Sequence, residues 1–75
     1  MKLFLSDFNS SMLYSIDISD NIVELTYNTN KSKVYQYKHT NIKKFVFETI
    51  LIGLNKGSIG KYITDQRKNN QLQEI

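Results

Sequence analysis

Residues 33–54 read KVYQYKHTNIKKFVFETILIGL, and the fold turns on a change of period inside them. Up to His39 the side chains alternate, with Tyr35 and Tyr37 on one side and Gln36 and Lys38 on the other, as a half-buried strand requires. From about Asn41 the apolar residues recur at helical spacing, and Thr40 or Asn41 offers a side-chain oxygen to cap the first turn. A strand therefore runs directly into a helix.

Two more strands precede this one. Residues 12–18 alternate, with Met12, Tyr14, Ile16 and Ile18 on one side and Leu13, Ser15 and Asp17 on the other. Ser19, Asp20 and Asn21 are turn formers, residues 22–27 form a second strand, and residues 28–32 read as a polar loop. Sequential strands with short links predict an antiparallel meander. Its inner face is expected to hold Met12, Tyr14, Ile16, Ile18, Val23, Leu25, Tyr27, Tyr35 and Tyr37. Its outer face carries Asp17, Glu24, Thr26, Gln36 and Lys38 and should be solvated. The fold class is thus α+β, a three-stranded meander packed on one face by two helices, with Leu3, Phe4 and Leu5 as a possible short edge element.

The first helix has more apolar surface than one sheet face can cover. At 100° per residue only Lys44, Glu48 and Asn55 make a polar strip, while Ile42, Phe45, Val46, Phe47, Ile50, Leu51, Ile52 and Leu54 spread over most of the circumference. The remainder is expected against the next helix, against the N-terminal apolar trio, or against a second copy, so a homodimer is among the expectations. The second helix begins after Ser58, a good N-cap, and places Ile59, Tyr62 and Ile63 on one face. Residues 69–75 read as a polar tail, which leaves residues 1–68 as one domain.

Between the helices lies NKGSIGKYIT, residues 55–64, with two glycines, a serine and two lysines. A phosphate-binding loop of the Walker type needs glycine where Asn55 stands, serine or threonine where Tyr62 stands, and a strand in front. It has a helix in front. Two readings stay open: a Ser58-capped helix N-terminus that attracts anions with Lys56 and Lys61, or a tight corner in which Gly57 ends the first helix and Gly60 lets the helices approach.

The order of these features resembles the KTSC domain, a short module found at the C-terminus of some lysyl-tRNA synthetases and as a stand-alone bacterial protein. The resemblance spans residues 9–68. It rests on Ser10-Ser11, a strand ending near Ile16-Asp17, the pair Tyr35 and Tyr37, and Ser58, Gly60 and Tyr62. Thr40-Asn41 departs from the family's usual Val-Pro, Ile63 and Thr64 from its aromatic and asparagine, and Gln66 from its Ile-Arg pair. The resemblance implies no established activity; RNA binding is suggested by the company the module keeps.

Chemistry narrows the choice further. The chain has 75 residues, room for one compact core and not for a deep substrate cavity. It lacks cysteine, so no disulfide framework or thiolate site holds it together, and the cytoplasm is the expected compartment. The N-terminal apolar trio is cut off by Ser6 and Asp7 before a signal-peptide core forms, and residues 50–54 are too short to span a bilayer. Arg67 is the only arginine and proline is absent, a usage expected of an AT-rich bacterial or phage gene. His39 is the one histidine and has no evident partner in sequence, nor do the carboxylates suggest an acid–base pair. The expectation is a protein without catalytic activity, cofactor or metal.

Charge is uneven. Within residues 1–25 Lys2 stands against Asp7, Asp17, Asp20 and Glu24, and every other cation lies beyond residue 30. Two function classes follow. One is RNA binding through the basic helical half, with Lys43, Lys44, Lys56, Ser58, Lys61 and Arg67 as contact residues and Lys68 beside them. The other is a protein-binding module, such as a mobile-element protein that docks on a host protein. Tyr35 and Tyr37 either stack bases or pack in the core; their parity with Val23 and Leu25 points to the core.

Overall fold

A computed structural model describes residues 2–4 and 12–75. Its elements are β1 (Lys2–Phe4), β2 (Leu13–Ser19), β3 (Ile22–Tyr27), β4 (Asn30–His39), α1 (Ile42–Leu54), α2 (Ile59–Lys68) and β5 (Leu72–Glu74). The strands form one antiparallel sheet in chain order. The class is α+β, and the three expected strands lie at its centre. The expected edge element is present as β1, while Leu5, Asn9, Ser10 and Ser11 lie outside the described residues.

The β2–β3 turn is made by Asp20 and Asn21, with Asp20 at φ 52°, a conformation its short polar side chain tolerates. Register then places Ile18 opposite Val23 and Ile16 opposite Leu25, all four buried. Beyond Ile16 strict alternation fails. Ser15 pairs with Thr26 but Leu13 pairs with Tyr27, so Tyr14 is the extra residue of a β-bulge. The bulge corrects the expected inner face: Leu13 is fully buried, whereas Met12 is exposed and Tyr14 half-buried. The outer face also departs from expectation, because Thr26 is buried along with Ser15.

The expected five-residue loop after β3 is a two-residue turn at Asn28 and Thr29. Asn30 already pairs with Tyr27, and the next regular pair is Thr26 with Val34, so Lys31, Ser32 and Lys33 bulge outward. Lys31 sits over the Tyr14 ring at 4.9 Å and Lys33 over the Tyr35 ring at 4.8 Å.

The largest correction is at the C-terminal end. Residues 69–75 are not a frayed tail: Leu72, Gln73 and Glu74 pair with His39, Lys38 and Tyr37, and Leu72 is 3% exposed. Asn70, at φ 58°, turns the chain from α2 into this strand. The amide of Gln71 donates to the carbonyl of Gln66 at 2.9 Å and that of Asn70 to Arg67 at 3.1 Å, a Schellman closure that satisfies the last turn of the helix. α1 ends in the same way, Gly57 donating to Ile52 and Lys56 to Gly53. The residue in the left-handed conformation there is Lys56, at φ 58°, not Gly57.

The core lies between the sheet and the helices. Leu13, Ile16, Ile18, Val23, Leu25 and Tyr37 of the sheet meet Phe45 of α1, Ile59 and Ile63 of α2, and Leu72. Gly60 serves this packing differently from expectation. A Cβ on it would stand 2.9 Å from the end of the Met12 side chain, so the neighbour of α2 there is the residue before β2, not the other helix. Gly57 has the helix contact instead, its Cβ position lying 2.9 Å from Ile52 Cγ2.

Candidate interaction surfaces

The helices fold back on one another. Tyr62 of α2 stacks on Phe45 of α1, with ring centroids 5.9 Å apart, and its hydroxyl donates to Glu48 at 2.9 Å. Burial, aided by this carboxylate, raises the Tyr62 pKa above the ordinary phenol range. One helical turn beyond Tyr62, Gln66 accepts from His39 Nε2 at 2.8 Å, while His39 Nδ1 accepts from the Asn41 amide at 2.9 Å. Because Nδ1 accepts a backbone N–H, the proton resides on Nε2. His39 is buried and its ring packs 5.1 Å from that of Phe45. It is a joint between strand and helix, and its partner Gln66 comes into reach only through the fold. Among the described residues no three of His, Cys, Asp and Glu come together as a metal site would need.

This antiparallel arrangement divides the basic residues. Lys43 and Lys44 lie in the first turn of α1, where Asn41 accepts from the Lys44 amide at 3.2 Å. Arg67 lies at the far end of α2, and so on the same side of the helix pair. Lys56, Ser58 and Lys61 lie at the other end, about 20 Å away along a 13-residue helix. There Ser58 caps α2, accepting from the Lys61 amide at 3.1 Å, and the first turn contains no acid. All five lysine and serine side chains are exposed. The structure thus brings the predicted contact residues together in two groups, not along one groove.

The remaining motif residues have structural surroundings. Tyr37 is 2% exposed, within the core, and the Arg67 guanidinium covers its ring at 5.4 Å. Burial pushes the Tyr37 pKa up, partly offset by Arg67. Tyr35 is half-buried and meets Tyr27 edge-on at 5.5 Å.

The most unusual surface is on α1. Its buried stripe is Phe45, Thr49 and Gly53, four residues apart each time. On the opposite side Phe47, Leu51 and Leu54 are 67%, 46% and 70% exposed. At 100° per residue these three lie within 60° of arc, with Lys43 and Lys44 on either flank. Together they expose on the order of 350 Å² of contiguous apolar surface, within the range of the largest patch on a typical monomer. Among the described residues no helix is long and apolar enough to cross a membrane. Thr49 is the other oddity of α1, because its buried hydroxyl has no hydrogen-bond partner among the described residues.

Comparison of the chain with family models, with curated proteins and with solved structures returns no match.

Proposed function

We propose that this chain is a small non-catalytic protein-binding module that docks through the outer face of α1. The observation that carries the reading is the exposed line of Phe47, Leu51 and Leu54 on a helix that already has a separate buried stripe. Exposing three large apolar side chains on one helix face opposes solubility without helping the fold, and a partner groove or helix removes that cost. A standard interface takes roughly 800 Å² from each side. The strip supplies its apolar centre, and Lys43 and Lys44 on its flanks supply a basic rim. No acid of α1 lies on this face, so two copies set parallel, helix against helix, would oppose lysine to lysine. The charge pattern therefore favours a partner with acidic flanks over a homodimer.

RNA binding is the second reading, favoured by Lys56, Ser58 and Lys61 gathered at the α2 N-terminus and by the KTSC resemblance. One comparison separates the two. Leu51→Glu, at an exposed position, should leave the fold intact and abolish partner binding that nuclease treatment does not affect. On the RNA reading, Lys56→Gln with Lys61→Gln should flatten the salt dependence of RNA binding by roughly one log–log unit per lost phosphate contact. An unchanged slope would retire that reading. Unchanged partner binding by Leu51→Glu would retire the first.

A further inference from the structure

A cleft of about 580 Å³ opens between the C-terminal turn of α2 and β5, lined by Tyr37, Thr64, Arg67, Lys68, Asn70, Leu72, Gln73 and Glu74. Its central feature is the Arg67 guanidinium laid on the Tyr37 ring. The side chain remains exposed, and no carboxylate pairs with it among the described residues. An exposed guanidinium over one aromatic ring still has a planar face to offer a second planar group, the mode in which Arg planes take unpaired bases.

The rest of the lining fits the rest of such a ligand. Lys68 adds a mobile cation at the rim. Glu74 faces Tyr37 across the register of β4 and β5, and Gln73 donates its amide nitrogen to the Asn70 carbonyl at 3.2 Å, which leaves its Oε1 as an acceptor. Glu74 lies on the Tyr37 side of the sheet and Gln73 on the Lys38 side, so the carboxylate is the acceptor that suits a ring edge that donates. The carboxylate also disfavours a bare inorganic anion. With Arg67, Lys68 and Glu74 the cleft carries one net positive charge, the complement of a singly charged phosphodiester unit.

We infer that this cleft is a nucleotide site, in which a base bearing an exocyclic amine stacks on Arg67, its amine is held by Glu74, and its phosphate is met by Lys68. The site is separate from the outer face of α1 and does not depend on it. The ligand is either a free mononucleotide or one nucleotide of a single strand; the chemistry is shared and the experiment tells the sources apart.

The experiment is an NMR titration of the whole chain with AMP, with UMP and with hexa-adenylate, following the amide signals of Tyr37, Arg67 and Glu74. AMP should move these signals in preference to those of Lys56 and Lys61, and UMP, which lacks the amine, should bind several-fold more weakly. Arg67→Lys keeps the charge and loses the plane, and should weaken AMP binding by about tenfold, the value of a lost base stack, with the melting temperature retained. Glu74→Gln should remove the preference for AMP over UMP. Hexa-adenylate binding at least tenfold tighter than AMP identifies a strand as the source, and equal affinity a free nucleotide. No shift with AMP or hexa-adenylate, or Arg67→Lys binding as well as the parent, would overturn the site.

Discussion

Phe45 and Phe47 are the same residue type two positions apart on one helix, and replacing each by alanine isolates the orientation of α1. Phe45 is fully buried and Phe47 67% exposed. Truncating a buried phenylalanine removes its transfer free energy and leaves a cavity, together about 3–5 kcal/mol. For a chain of 75 residues the whole stability is roughly 4–11 kcal/mol, so Phe45→Ala should remove from about a quarter to all of it. Phe47 buries only a third of its surface. That third is worth on the order of 0.5–1 kcal/mol, and alanine recovers about half a kcal/mol of helix propensity. The net for Phe47→Ala is within about 0.5 kcal/mol of zero, a shift of no more than about 4 °C in melting temperature. Circular dichroism melts with parallel urea titrations measure both. Equal losses at the two positions, or a larger one at Phe47, would refute the assigned orientation and with it the exposed strip.

The other stability predictions come from backbone and polar details. Thr49→Val keeps the shape and deletes a buried hydroxyl with no described partner, so it should stabilise by about 1 kcal/mol; a loss of stability would show that the hydroxyl is bonded. Lys56→Gly relieves a left-handed backbone and should raise stability by about 1 kcal/mol in urea titrations, whereas Gly57→Ala should lower it by crowding Ile52. Gly60→Ala should cost little or stabilise slightly, because its Cβ meets only the end of the flexible Met12 side chain and alanine gains about 1 kcal/mol of helix propensity. Tyr62 has its pKa raised by burial and then by Glu48, so the native state holds its proton more tightly than the unfolded chain. Stability from this source is complete below about pH 10, the ordinary tyrosine value, and is lost as pH rises beyond it. Tyr62→Phe should therefore be less stable at neutral pH, through the lost hydrogen bond, yet show a shallower decline above pH 10.

What could be read before folding was local. The change of period at residues 39–42, the Asn41 and Ser58 caps and the edge position of Leu3 and Phe4 depend on neighbours in sequence, and propensity and patterning expose them. The inner face was misread at Met12 and Tyr14, because one bulge residue reverses parity on one side of it and alternation alone does not mark the reversal. The fifth strand was missed for a different reason. Leu72 is one apolar residue among polar ones, and its burial depends on the free edge of β4; the clue was Asn69-Asn70, a pair suited to a left-handed helix stop followed by a reversal. The partners His39–Gln66 and Tyr62–Glu48, and the cleft around Arg67, join residues that only the folded chain brings together. The lysines were all visible, but their separation into two groups needed the antiparallel helix pair.

The claim that the outer face of α1 is a docking surface is tested most directly by a photo-crosslinking residue placed at position 47 or 51 in the native host, with position 38 on the far face of the sheet as the control. The account predicts a covalent adduct with one protein at 47 and at 51, insensitive to nuclease, absent at 38, and lost when Lys43→Glu and Lys44→Glu reverse the charge of the rim. Adducts at 38 as abundant as those at 47, adducts only with a second copy of the chain or with RNA, or none at either α1 position, would contradict it.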